Sequence, residues 1–343
     1  MNRLDHLRGG APGKRHNART IAALTGNPAC TRRAVLDAAG VDKLRLGQLI
    51  GFPGSFGQSR FALARGNAFE AMLKADDCAL LRSTLAISAQ AGYDDLGEDT
   101  DDTLSARHGR TRQLLASGDA GLVDHPLLTL DVAGQTVYLE PDLIAFQRSG
   151  LVRVVEIKSF AIVDGQADGA KVSGAAVQAA VYVLALRRLL GDDRVSHEVT
   201  LVCPENFSLN PVAVTLDVRK QLSTLRRQLS RLSSVSALID ALPAHVSFDL
   251  ALPVPDLIAS LAEVEARYAP ECLSACELSV YCRSEAAGTT AALGRSVRES
   301  LGGVETVQEV LGLAAGTIEP APDQAEAATL LRAALRLRQE ALS

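Results

Sequence analysis

The stretch LLTLDVAGQTVYLEPDLIAFQRSGLVRVVEIKSF (127–160) switches the sequence to an alternating period. Apolar residues recur at every second position through LLTLDV, QTVYLE, DLIAF and LVRVVEIKSF, the pattern of strands packed on a core. Turn signals at Ala133-Gly134 and in QRSG (147–150) separate these runs, so the expectation is an antiparallel meander. Working outward, a loop at 164–170 precedes a helix over about 171–190. HEVTLVC (197–203) and PVAVTLDV (211–218) read as two further strands, followed by one long helix over 218–242. Upstream, 21–39 reads as a single helix carrying Cys30. A Gly/Phe-rich loop, GFPGSFGQSRFALARG (51–66), leads into a helical run, NAFEAMLKADDCALLRSTL (67–85). The acidic stretch GYDDLGEDTDD (92–102) reads as a solvated loop, with a weak metal or regulatory site as the alternative. Residues 1–20 read as loose, 255–268 as helical, and no internal repeat is present. Strands interleaved with helices argue for an α/β core.

Within that core, Glu140-Pro141-Asp142 and Glu156-Ile157-Lys158 carry the chemistry. Asp142 opens one strand and Glu156 stands near the end of the next, so a short hairpin brings the two carboxylates together. Alternation puts Glu156 and Lys158 on one face and Ile157 in the core. Two carboxylates and an ammonium at one place suit a hard cation with oxygen ligands and a reacting group. Read alone, E-x-K is also what a surface hairpin with a Glu–Lys pair looks like. Gln178 and Tyr182 lie four apart on the following helix, on one face. Glu70 stands four residues after Gly66, near a helix start, where a carboxylate is favoured in any case. Cys272, Cys276 and Cys282 are spaced C-x₃-C-x₅-C, with Cys30 far upstream. Four thiolates can hold tetrahedral zinc or an iron–sulfur cluster, and plain buried cysteines are the third reading. Cys78 and Cys203 sit in apolar contexts and read as core residues.

The order G-x-x-x-E, P-D, E-x-K, Q-x-x-x-Y over residues 20–284 resembles the PD-(D/E)xK nuclease superfamily, in its RecB-type branch. One cysteine at the start and three after the motifs are similar to the iron–sulfur-stapled members, which include the AddB nuclease domain and CRISPR-associated adaptation exonucleases. The resemblance implies a restriction-endonuclease-like mixed central sheet flanked by helices, with helical N- and C-terminal regions joined by a metal cluster. It implies Mg²⁺ or Mn²⁺ held by Glu70, Asp142, Glu156 and the Ile157 carbonyl, and Lys158 acting on the attacking water or the transition state. Gln178 would help position the site and Tyr182 would meet a nucleic-acid strand. Cys30, Cys272, Cys276 and Cys282 would hold a 4Fe-4S cluster, with zinc as the alternative. Two departures stand out. Many relatives carry His where this chain has Glu70, which makes this site more anionic, and their usual C-terminal spacing is C-x₂-C-x₅-C. The implied activity is metal-dependent DNA hydrolysis, as an exonuclease on single-stranded or end-bearing DNA in repair, phage defence or CRISPR adaptation. A non-catalytic DNA-end-binding or scaffold subunit and a thiol-ligated metal sensor are the alternatives.

The 343 residues, with 35 Lys and Arg against 40 Asp and Glu, carry a net charge of -5, which excludes a broadly polycationic nucleic-acid coat. Arg32, Arg33, Arg65 and the basic residues of 219–231 remain as a path for a DNA backbone, or, for the last group, a solvated helix face. With 8 Phe, 5 Tyr and no Trp, there is little material for ranks of stacking rings. Six cysteines in this length are too few for a disulfide scaffold. No apolar run approaching 18 residues and no apolar leader are read, so no membrane partner and a cytoplasmic location with reduced thiols are expected. No G-x-x-x-x-G-K-[ST] occurs, so any unwinding would need a helicase partner. The expected organisation is a nuclease domain over 1–284 and a helical extension over 285–343.

Overall fold

In the computed structural model, six strands build the central sheet of a unit made from residues 15–25 and 57–237. The strands of this unit are β1 (Tyr93–Asp95), β2 (Leu122–Asp124), β3 (Leu128–Val132), β4 (Gln135–Leu139), β5 (Leu143–Phe146), β6 (Val152–Ile157), β7 (Glu198–Pro204) and β8 (Pro211–Asp217). The sheet order is β1-β2-β5-β6-β7-β8, with β1/β2 and β6/β7 parallel and the other neighbours antiparallel. The structure describes residues 3–342 other than 15, 28, 55–59, 89, 98–102, 119–120, 133–134, 147–149, 207 and 232–234.

Strand alternation sorts the core onto two faces. Leu143, Ala145, Val155 and Ile157 pack with Phe69, Leu73, Cys78 and Leu81 of the helix Arg60–Thr84. Ile144, Val152 and Val154 pack on the other face with Ala179, Val183 and Leu186 of the helix Gly169–Leu190. The unit is thus an α/β fold with a mixed central sheet flanked by helices. Cys78 and Cys203 are fully buried, as core residues.

Several expectations are corrected. The meander is not continuous: β3 and β4 pair only with each other as a separate two-stranded sheet, while β5 turns back to join β2 and β6. Its turns at Ala133-Gly134 and 147–149 lie outside the described residues. The span 21–39 is two helices, Ala18–Gly26 and Thr31–Ala39, divided where Gly26 and Pro28 disfavour helix. The expected helix over 218–242 is helical over Arg219–Arg231 and over Val235–Ala241, with 232–234 outside the described residues. The helix beginning at Arg60 is broken at Ala75–Cys78, where Asp76, Asp77 and Cys78 have positive φ. The acidic stretch contributes β1 rather than a loop, with 98–102 outside the described residues. Helix Gly169–Leu190 has the length and mean hydropathy (1.4) of a membrane span, contrary to the sequence reading, yet it is a core helix with Ala175, Ala176 and Ala179–Leu186 buried.

Residues 1–14, 26–56 and 238–343 form the other unit, which is helical. The expected loose start is instead partly ordered: the helix Arg3–Arg8 buries Leu7, whose carbonyl accepts from the Phe248 N–H at 2.7 Å. Val304, Leu313 and Ala328 form a small separate core near the C-terminus.

Candidate functional site

The register Leu143↔Val155 sets Asp142, just before β5, across from the end of β6. Asp142 Oδ2 accepts from the backbone N–H of Ile157 at 2.7 Å, which locks the P-D corner onto E-x-K. Lys158 lies just past β6, its N–H bonded to the Val202 carbonyl at 2.9 Å. Its ammonium donates to Glu156 Oε1 and stands 4.0 Å from Asp142 Oδ2. Glu156 is 1% exposed, and among the described residues its Oε2 has no hydrogen-bond partner. Burial, and next the neighbouring Asp142, push the Glu156 carboxyl up to about 8, against the opposing pull of Lys158. Asp142 is likewise raised, first by burial and despite Lys158. The Lys158 ammonium is held above its ordinary value because Glu156 and Asp142 outweigh its own burial.

Gln178 Nε2 donates to the Tyr182 hydroxyl at 3.2 Å, so the two do share a helix face. Tyr182 is 4% exposed and feels the charge of Glu156 and Asp142, and burial raises its phenol well above the usual range. The strand contact expected of Tyr182 is not offered by this arrangement, because the side chain is buried in the apolar core. Ile157 is buried on the opposite face of its strand, as alternation required.

Glu70 comes from the helix Arg60–Thr84, whose Gly66 passes beside Ser159; a Cβ there would lie 3.5 Å from the serine Oγ. Glu70 adds negative potential at both Asp142 and Glu156. Glu70, Asp142 and Glu156 are not all drawn within 4.8 Å of one another. Among the described residues, Asp95, Asp124 and His125 are. Of this second group, Asp95 lies in the acidic stretch 92–102 that was the alternative metal site, while Asp124 and His125 were not read from the sequence. Lys74, one helical turn after Glu70, joins them: its ammonium stands 2.7 Å from Glu70 Oε1, 2.8 Å from Asp124 Oδ1 and 3.1 Å from His125 Nε2. Tyr93 donates to Asp124 Oδ2 at 3.0 Å, and His125 Nδ1 pairs with Asp95 Oδ1 at 3.0 Å. The sequence signals were the acidic stretch 92–102 and the i, i+4 spacing of Glu70 and Lys74.

In the helical unit all four expected cysteines share one neighbourhood. Cys282 feels the thiols of Cys276 and Cys30, and burial pushes it up to about 12. Asn27 Nδ2 points at Cys272 Sγ, 3.3 Å away, and Arg32 Nη1 at Cys282 Sγ, 3.5 Å away. No cysteine is in a disulfide. Arg32 and Arg33 do not line a DNA path: both are buried, Arg32 with Glu285 and Arg33 with Asp37. On the basic helix, Arg219 pairs with Asp217 and Arg226 with Asp192, while Leu222 and Leu225 face the core.

No protein-family model matches the chain, and no curated protein matches it. Among solved structures, the crystal structure of a protein titled "Putative exonuclease" from Eubacterium rectale is similar over 83% of this chain and 92% of that one, at 15% identity and a TM-score of 0.36.

Proposed function

We propose that the chain is a divalent-metal-dependent deoxyribonuclease acting as an exonuclease on single-stranded or end-bearing DNA. One observation carries the reading: a buried glutamate oxygen with no donor among the described residues, beside a second carboxylate and a lysine. A buried carboxylate left unsatisfied is costly, and hydrogen bonds to the remaining lone pairs or a cation remove that cost. The donors at hand are carboxylate oxygens and a backbone carbonyl, which suit Mg²⁺ or Mn²⁺. Glu70, Asp142, Glu156 and the Ile157 carbonyl would hold the ion. Bound there, it supplies Lewis acidity toward a phosphodiester and toward water. Lys158, kept charged by Glu156 and Asp142, meets the negative charge that grows on the phosphoryl oxygens in the transition state. Gln178 and Tyr182 fix the buried wall behind Glu156.

Cys30, Cys272, Cys276 and Cys282 would bind an iron–sulfur cluster. Tetrahedral zinc is the alternative occupant of the four thiols. Arg32 beside Cys282, and Lys43 and Arg33 near Cys276, supply positive charge for thiolates. DNA is the partner, with a helicase or other repair, defence or CRISPR adaptation proteins, in the cytoplasm.

The test is degradation of labelled single-stranded DNA with Mn²⁺. Glu156→Gln and Lys158→Ala are expected to abolish it, by at least 100-fold, while the circular dichroism spectrum is retained. Undiminished degradation by both variants refutes the reading.

A further inference from the structure

Three acceptors take the three protons of the Lys74 ammonium: Glu70 Oε1, Asp124 Oδ1 and His125 Nε2. The partners of His125 assign its tautomer, since Nδ1–H donates to Asp95 and Nε2 is left to accept from Lys74. Both Asp124 oxygens are engaged, Oδ1 by Lys74 and by the His125 backbone N–H at 2.9 Å, and Oδ2 by Tyr93. Asp95, Asp124 and His125 offer two carboxylates and an imidazole within 4.8 Å, a donor set common for divalent transition ions. Lys74, with 12% of its side chain exposed, is the cation that this set already surrounds.

We infer that Lys74 is a positioning residue that stands in for a second divalent cation, so that the nuclease site takes one Mn²⁺ rather than two. The inference rests on the proposed function. Around β2, β5 and the end of β6, Glu70, Asp95, Asp124, Asp142 and Glu156 face two ammonium groups, Lys74 and Lys158. An ammonium tethered to a helix cannot dissociate or exchange. It commits one Glu70 oxygen toward β2 and leaves the other for the ion that Asp142 and Glu156 would share. Lys74 therefore sets both the direction of Glu70 and the number of ions.

Counting bound Mn²⁺ by electron paramagnetic resonance, on the full chain without DNA, tests this. The wild-type chain is expected to bind one ion, and Glu156→Gln none. Lys74→Ala is expected to bind two, and Lys74→Ala with Glu156→Gln one, at the Asp95, Asp124 and His125 donors. A wild-type count of two, or a folded Lys74→Ala chain that still binds one, overturns the inference and leaves the nuclease reading standing. A wild-type count of zero sinks the nuclease reading instead; a single ion gained by Lys74→Ala would still support the stand-in role, and none would end it. Where Lys74→Ala does not fold, its melting is followed with rising MnCl₂ against KCl of equal ionic strength. Mn²⁺-specific recovery of the transition supports the inference, and no recovery overturns it.

Discussion

Glu156 presents its two oxygens to unequal surroundings, Oε1 to the Lys158 ammonium and Oε2, buried, to no hydrogen-bond partner among the described residues. With its carboxyl raised to about 8, it is largely protonated in the folded chain at neutral pH and ionised in the unfolded chain above about 4.3. Folding thus takes up a proton between those two values, and native stability falls as pH rises through that window. The loss amounts to a few kcal/mol, on the order of 1.4 per pKa unit. A divalent cation reverses the preference by favouring the carboxylate. At pH 7, Mn²⁺ binding should therefore release close to one proton per ion. Calorimetry in buffers of different ionisation enthalpy reads this directly, and Glu156→Gln should remove the signal. Binding without proton release would mean that Glu156 is not a ligand. The motif residues Asp142, Glu156 and Lys158 were legible because a hairpin joins them and strand alternation is a local property. Lys74 was not, since Asp124 and His125 lie some fifty residues away and nothing local couples them.

At the scale of elements, the break at Ala75–Cys78 explains why the helix Arg60–Thr84 can serve one face throughout. Phe69 and Leu73 are four apart, but Cys78 follows by five, about 140° off the stripe of an unbroken helix. The left-handed Asp76 and Asp77 restore the aim, and Asp is one of the few residues that visit that region. Leu73→Ala should cost roughly 2–5 kcal/mol, as a fully buried leucine packed with Val155 and Ile157. Its check is chemical unfolding. Gly40 closes the helix Thr31–Ala39 with φ +68, and a Cβ there would meet the Gly13 Cα at 2.9 Å and the Lys14 N at 3.1 Å. Both contacts are backbone, so Gly40→Ala is expected to destabilise by more than about 1 kcal/mol and lower the melting temperature. Helix existence was readable from periodicity. Their boundaries were not, because Gly26 with Pro28 and the Asp pair act through backbone conformation that apolar spacing does not encode.

For the whole molecule, the two units differ in what they hold: carboxylates and lysines in the sheet unit, four thiols in the helical one. Cys30 and Cys272–Cys282 come from segments separated by some 240 residues, so a cluster there would close a very long stretch of chain. Anaerobic purification should give a brown protein with about four iron atoms and four sulfides per chain by chemical analysis. Cys30→Ser and Cys282→Ser should be colourless and melt at lower temperature, while Glu156→Gln keeps its colour. Zinc in place of iron in that analysis would overturn the cluster. Arg32 and Arg33 mark the limit of reading charge from a sequence: two adjacent arginines looked like a DNA path, and packing buries both against Glu285 and Asp37. From its order of residues alone, this protein determined its strands, its principal helices and the hairpin that sets Asp142 against Glu156, because alternation and turns act over a few residues. Tertiary structure decided the separate β3–β4 sheet, the Lys74 network and the burial of Tyr182, since each depends on partners that only the packed core brings within bonding distance.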